Sequence, residues 1–263
     1  MSPLQQRIAS AIVGVPAIIG IVYLGGNWYV AAVAVALAIA SIEFNHARRD
    51  WLDPVSVLTA VLVAGVAVGA HTGDYRFYAW MAAALAIPPI AAALFPTDEG
   101  ALDDAVWIAF GVTYVAIIGS FLVQLRDIAD GRSWVYLTVL STFAVDTAAF
   151  FTGRTIGRKL LAPSISPKKT WEGLVGGWGA GFAAVVTLGY AFDLSIAPWK
   201  LSLLGLLLPL AAAAGDLAES AMKRRMHIKD ASELIPGHGG VLDRLDSILF
   251  TFALVYAFTQ IAL

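Results

Sequence analysis

This chain is expected to fold as an all-α, polytopic integral membrane protein with about nine transmembrane helices. Three observations carry that expectation. Of 263 residues, 59% are hydrophobic and 14% charged, where soluble domains carry about 25% charged residues. The apolar residues fall into nine stretches that reach or approach the roughly 17–25 residues a helix needs to cross a bilayer. The basic residues gather in alternate connections between those stretches, as the positive-inside rule requires.

The spans are read at residues 8–24, 28–44, 55–70, 77–95, 105–125, 134–152, 173–192, 201–222 and 247–263. Pro88, Pro89 and Pro209 fall inside them, which membrane helices tolerate. The first span follows a single Arg7, in the manner of a signal peptide. It lacks a small-residue cleavage site and is read as retained. The chain has no cysteine, which excludes disulfides, thiolate metal sites and a Cys nucleophile. Nothing points to nucleic acid. One membrane domain is expected, with N-terminal spans over residues 1–132 and a C-terminal catalytic region over 133–263. Assigning chain ends and loops alternately to two sides puts 13 of the 17 Lys and Arg residues on one side. That bias predicts a cytoplasmic N-terminus and an outside C-terminus. It also places both long polar segments, 153–172 and 223–246, on the cytoplasmic face.

Ionisable groups within spans are costly and mark function by default. Asp146 lies deep in the sixth span, in STFAVDTAAFFTG. It could instead pair with an Arg from a neighbouring helix. Asp216, Glu219, Ser220 and Lys223 follow at three- and four-residue steps and so share one face of the eighth helix. Glu219 and Lys223 have the spacing of a local ion pair, and Lys223–Arg225 could be a topology anchor. Asp243, Asp246 and Ser247 open the ninth span. Three carboxylates at two adjacent helix ends repel one another unless a cation lies between them. Such oxygen-only sites suit Mg²⁺.

Between these helices runs IPGHGG, where Gly237, Gly239 and Gly240 allow backbone N–H groups to turn toward an anion or simply form a turn. His238 has three readings: structural residue, hydrogen-bonding residue or proton carrier. The absence of a second His at metal spacing argues against zinc. The other polar segment, GRTIGRKLLAPSISPKKTWEGLVGG, holds five basic residues and one acid, Glu172. Ser166, Lys168, Lys169 and Thr170 are donors of the kind a polyphosphate needs, although a basic loop alone also suits anionic lipid. The Gly-x4-Gly-Lys spacing of a Walker A loop is absent. An acidic cluster and a basic segment at one membrane face together suggest chemistry on a phosphate at the headgroup level.

The stretch SAMKRRMHIKDASELIPGHGGVLDRLD, 220–246, strongly resembles the signature of phosphatidate cytidylyltransferases, also called CDP-diacylglycerol synthases. The matching residues are Ser220, Lys223, Arg224, Lys229, Asp230, Ser232, Pro236, His238, Gly239, Gly240, Asp243, Arg244 and Asp246. SPKKTWEG, 166–173, is similar to a second element of that family, and Asp146 stands where the family has an Asp. The likeness covers the C-terminal half. Phe150, where many members carry Tyr, lacks the corresponding hydroxyl.

The resemblance implies transfer of the cytidylyl group of CTP to phosphatidate with Mg²⁺, and with it a second cation, at a bacterial inner membrane, by a homodimer. It implies a catalytic set of Asp216, Lys223, Arg224, Lys229, Asp230, His238, Asp243, Arg244 and Asp246. Nucleotide contacts would come from Ser166, Lys168, Lys169, Thr170, Glu172, Ser220, Gly239 and Gly240, and metal contacts from Asp146, Asp216, Asp243 and Asp246. Two rivals share some of these features. A polyprenol kinase or archaeal-type lipid cytidylyltransferase would use the same site on another acceptor. A cation transporter would use Asp146 and Asp216, although transporter sites lie at the midplane in broken helices.

Overall fold

The structure, a computed structural model, describes residues 3–262 apart from 227, 229, 236 and 238, with side chains from residue 12 onward. Among the described residues the chain forms nine helices. These are α1 (Pro3–Leu24), α2 (Gly26–His46), α3 (Pro54–Thr72), α4 (Tyr75–Leu94) and α5 (Ala101–Asp127). They continue as α6 (Gly131–Ile156), α7 (Trp171–Ala191), α8 (Pro198–Arg225) and α9 (Leu242–Ala262). The last eight are long and apolar enough to cross a membrane, and α1 adds a shorter apolar run, Ile12–Leu24. Each expected span falls on one helix.

The helices overrun the apolar stretches by a few residues because capping, not hydropathy, sets their ends. Asp53 accepts from the N–H groups of Val55 and Ser56 at 3.0 and 3.1 Å, with Pro54 at the first helical position of α3. That position has no intrahelical partner for an N–H, so proline costs nothing there. Asp74 opens α4 by accepting from Arg76 N at 2.8 Å. Thr170 opens α7 by accepting from Gly173 N at 3.1 Å. Within α5, residues Thr113–Ile117 widen into one π turn.

The chain forms two compact units: residues 1–127 with 230–244, and residues 128–229 with 245–263. The return of 230–244 to the first unit is a feature the linear reading did not contain. Its cause is a set of hydrogen bonds to Glu43 of α2, described below.

In the first unit, α2 packs on α3, and α3 and α5 on α4. Phe44 of α2 stacks on Trp107 of α5 with ring centroids 4.4 Å apart. At the helix ends a buried Arg49 joins three segments. It donates to Asp104 at 3.0 Å, to the Phe95 carbonyl at 2.8 Å and to Asp53 at 3.2 Å. Asp104, 1% exposed, also accepts from the hydroxyl of Thr97 at 2.9 Å.

In the second unit, α6 and α7 make the most extensive helix pairing. Gly173, Gly177 and Gly181 repeat every four residues along α7 and face α6. A methyl group on Gly173 or Gly177 would stand 2.8 Å from the carbonyl oxygen of Ala149 or Val145. Small residues at this spacing let membrane helices approach backbone to backbone, where dispersion replaces the hydrophobic effect that lipid does not supply. Thr142 of α6 donates to Thr251 of α9 at 3.1 Å.

The segment 153–172 is only partly loop. Helix α6 runs on to Ile156, and a small antiparallel hairpin follows: β1 (Leu160–Ala162) and β2 (Ser166–Thr170), with Leu160 opposite Thr170 and Ala162 opposite Ser166. Glu172 braces the approach to this hairpin by accepting from the N–H groups of Arg158 and Lys159 at 3.1 and 3.2 Å.

Candidate active site

The second unit holds a cavity of about 540 Å³ bounded by α6, the hairpin, α7 and α8. Each wall follows from local sequence. Asp146 lies ten residues before the end of α6, about 15 Å along the helix. It is one helical turn from Ala149 and two from Gly153, and all three line the cavity. Asp216 reaches it from α8 beside Ala213 and Leu217. Strand β2 supplies Ser166, Lys168, Lys169 and Thr170. The close α6–α7 seam brings the start of α7, and hence β2 that leads into it, against the polar end of α6.

The walls differ in chemistry. Asp146 of α6 and Asp216 of α8 bring one carboxylate each, and β2 brings two ammonium groups and two hydroxyls. Lys169 and Asp216 form an ion pair across the cavity. Ser220, one turn along α8, contacts the Asp216 carboxylate at 3.5 Å. Arg154, exposed at the end of α6, also lines the cavity. Val145, Phe150, Leu161, Leu174 and Leu217 make the remainder apolar. The ring of Phe150 is more than half exposed and lies 6.0 Å from the Arg154 guanidinium.

Other expected site residues have different settings. Lys223 pairs with Glu219 at 2.7 Å, so the spacing read on the eighth helix is realised as a local ion pair. Arg224 donates to the carbonyls of Ile165 and Ile228 at 3.2 and 3.4 Å, tying the end of α8 to the hairpin turn. Glu172 serves the hairpin approach, as above, and does not line the cavity. Asp230 and Arg244 are exposed. Lys229 and His238 lie outside the described residues, as does Pro236.

Among the described residues, no three Asp, Glu, His or Cys side chains gather as a metal-binding cluster. Asp146 and Asp216 share the cavity. Asp246 accepts from Ser247 N at 2.6 Å. Asp243, in the first unit, is 6% exposed. Its carboxylate accepts from Ala231 N at 3.0 Å and Gly240 N at 2.7 Å. Two backbone donors hold it as the brace of the glycine loop. The N–H of Gly240, expected to face an anionic ligand, thus faces an anion belonging to the chain itself.

The same loop holds a residue that the sequence reading passed over. Glu43, near the end of α2 and 1% exposed, accepts from Ser232 Oγ at 2.6 Å, Val241 N at 3.0 Å and Leu242 N at 2.7 Å. Arg154 was also passed over as an individual. It was counted among the basic residues of its segment, and its turn spacing from Phe150 was the available signal.

Helices of membrane length, with a cavity lined by carboxylates and basic side chains together, define a polytopic membrane protein. The comparisons with known proteins agree. The model of the Cytidylyltransferase family matches residues 5–262. Three similar proteins are each named "Phosphatidate cytidylyltransferase". The one from Synechocystis sp. is 32% identical, with 98% of this chain and 97% of the relative covered. The one from Brucella melitensis biotype 1 is 33% identical, with 99% and 95% covered. The one from Mycobacterium bovis is 34% identical, with 90% and 81% covered. This chain belongs to the cytidylyltransferase family.

Proposed function

We infer that the protein transfers the cytidylyl group of CTP to phosphatidate, giving CDP-diacylglycerol and pyrophosphate. The observation that carries this reading is the cavity in which Lys168, Lys169, Ser166 and Thr170 face Asp146 and Asp216 beside an apolar wall. The reaction is an in-line displacement. A phosphate oxygen of phosphatidate forms a bond to the α-phosphorus of CTP, and the bond from that phosphorus to the bridging oxygen breaks, releasing pyrophosphate. The nucleophile is already anionic near neutral pH, so the difficulty is to bring two anions together. Fixed positive groups reduce that cost.

Lys168 and Lys169 are assigned to the CTP phosphates, with Arg154 beside them. Lys169 exchanges its Asp216 partner for a phosphate oxygen, and this leaves the Asp216 carboxylate available. Mg²⁺ takes oxygen ligands and is often held by one or two carboxylates together with substrate phosphates. The all-oxygen pair Asp146 and Asp216 fits that pattern, and these two residues would hold the ion. Bound there, Mg²⁺ would neutralise phosphate charge. The apolar wall at Phe150, Leu161 and Leu174 suits the lipid acceptor, whose chains remain in the bilayer.

The test is substitution of the two lysines. Lys168→Ala and Lys169→Ala are expected to raise the KM for CTP or lower kcat by about tenfold to a hundredfold, the worth of one charge-assisted hydrogen bond. The deficit should fall on CTP rather than on phosphatidate, and it should persist in neutral detergent. Wild-type kinetics for both variants there would leave the segment as a basic surface for anionic lipid. Supplying polyprenol or an archaeal-type lipid in place of phosphatidate separates the related acceptors.

The orientation follows from charge. With 13 basic residues on the side that carries 153–172 and 223–246, the site faces the cytoplasm, where CTP is dissolved. A tag fused at Leu263 should be accessible from outside intact cells, while labels at Lys159 should be protected. A protected C-terminal tag would reverse the assignment.

A further inference from the structure

We propose that Glu43 is a positioning residue for the reaction. Seated at the N-terminus of α9, its carboxylate ties Ser232 to the backbone of Val241 and Leu242. The first backbone N–H groups of a helix have no intrahelical acceptor, and the helix dipole favours negative charge beside them. Here Glu43 fills that place, while Asp243 serves the backbone just before it. Asp243 takes the N–H of Gly240, and Glu43 takes those of Val241 and Leu242. Glu43 also receives the Ser232 hydroxyl, whose oxygen in turn accepts from Leu234 N at 3.2 Å. One side chain from α2 therefore holds both arms of the loop.

The fit is close. A methyl group added to Gly240 would lie 2.7 Å from each Glu43 carboxylate oxygen. A carboxylate with 1% exposure is costly unless hydrogen-bonded, so the loop and Glu43 are each unfavourable without the other. The residues so fixed are those of the signature stretch. Asp243 and Arg244 lie in the first turn of α9, with Asp246 next along it. Lys168 and Lys169 stand on a separate element, the hairpin. Loss of the Glu43 contacts should therefore reduce the fraction of molecules with a competent loop, which lowers kcat while leaving CTP affinity in place.

The kinetic part of this proposal rests on the reading of the protein as a CTP-dependent lipid enzyme, whereas the structural part does not. The experiment uses the full chain in detergent with Glu43→Gln, which keeps size but removes the charge and one acceptor oxygen. Hydrogen exchange at the amides of Gly240, Val241 and Leu242 is expected to quicken by about tenfold or more, as loss of charge-assisted bonds implies. With CTP, Mg²⁺ and phosphatidate, kcat is expected to fall by about tenfold or more and the KM for CTP to stay within about twofold. Ser232→Ala should shift exchange and kcat in the same direction to a smaller extent, and should add little in the Glu43→Gln background.

Unchanged exchange in Glu43→Gln overturns the clamp. Faster exchange with wild-type kcat, or a rise in the CTP KM at unchanged kcat, overturns the positioning role. Should Glu43→Gln fail to fold, Ser232→Ala decides by the same criteria. A wild-type protein inert toward CTP and phosphatidate would defeat the proposed reaction, and the exchange measurement would still decide the clamp.

Discussion

Asp216→Asn is expected to lower kcat by about 10²–10³-fold, the range seen when one preorganised electrostatic group is removed from an active site. The substitution keeps the shape of the side chain and removes its charge. Two readings of Asp216 predict different outcomes. If its task is only to pair with Lys169, the contact is a partly exposed ion pair worth about 1 kcal/mol or less. Neutralising it would then free the lysine at little cost. If Asp216 holds Mg²⁺ during turnover, activity should fall steeply, and raising the Mg²⁺ concentration should recover part of it. A double-mutant cycle with Lys169→Ala separates the two. Mutual dependence alone would make the double variant no worse than either single one. Separate roles on cation and phosphate would make it worse than both. Asp216→Asn with wild-type turnover at all Mg²⁺ concentrations would remove this residue from the site.

The second large effect is on stability. Asp104→Ala should destabilise the first unit by about 3–5 kcal/mol, the usual cost of removing one partner of a buried ion pair. Arg49 and Asp104 have side chains 4% and 1% exposed. The variant would leave Arg49 with Asp53 and the Phe95 carbonyl, and Thr97 with no carboxylate. Thermal unfolding in detergent should show a midpoint lower by on the order of 10 °C. Turnover per folded molecule should change far less, because neither residue lines the cavity. A midpoint equal to wild type would mean that the network contributes no net stability.

Much of the fold was legible because it is dictated by a local property. An apolar run long enough to span a bilayer has few alternatives to helix, so the nine stretches coincide with the nine helices of the described residues. The basic wall of the cavity was legible for a similar reason: Ser166, Lys168, Lys169 and Thr170 are neighbours in sequence and need no partner element to be recognised as a set. Asp146 and Asp216 were each visible as charges in apolar surroundings, yet their sharing of one cavity depends on the α6–α7 glycine seam and the course of α8. The hairpin was hidden because Leu160–Ala162 and Ser166–Thr170 are short and carry no alternation. Glu43 was hidden more deeply. It is one acid in an apolar span, and its partners lie 189 to 199 residues further along. Asp243 adds a second kind of hidden contact: its type and place suggest a cation ligand, and only the folded chain brings the backbone donors of Ala231 and Gly240 to its carboxylate.

The separation between Glu43 and its partners bears on how the protein is made. A chain emerges from the ribosome and enters the membrane from its N-terminus, and units tend to fold as they appear. The first unit cannot complete itself in that order. Glu43 enters with the second helix, but the N–H groups that satisfy it arrive only with residues 241 and 242, after about a hundred residues of the other unit. For most of synthesis α2 therefore carries, near its end, a carboxylate without its native donors, a costly state wherever lipid excludes water. Such a chain needs either protonation, water or a transient protein companion at that position. A chain cut short before residue 241 would never acquire those donors.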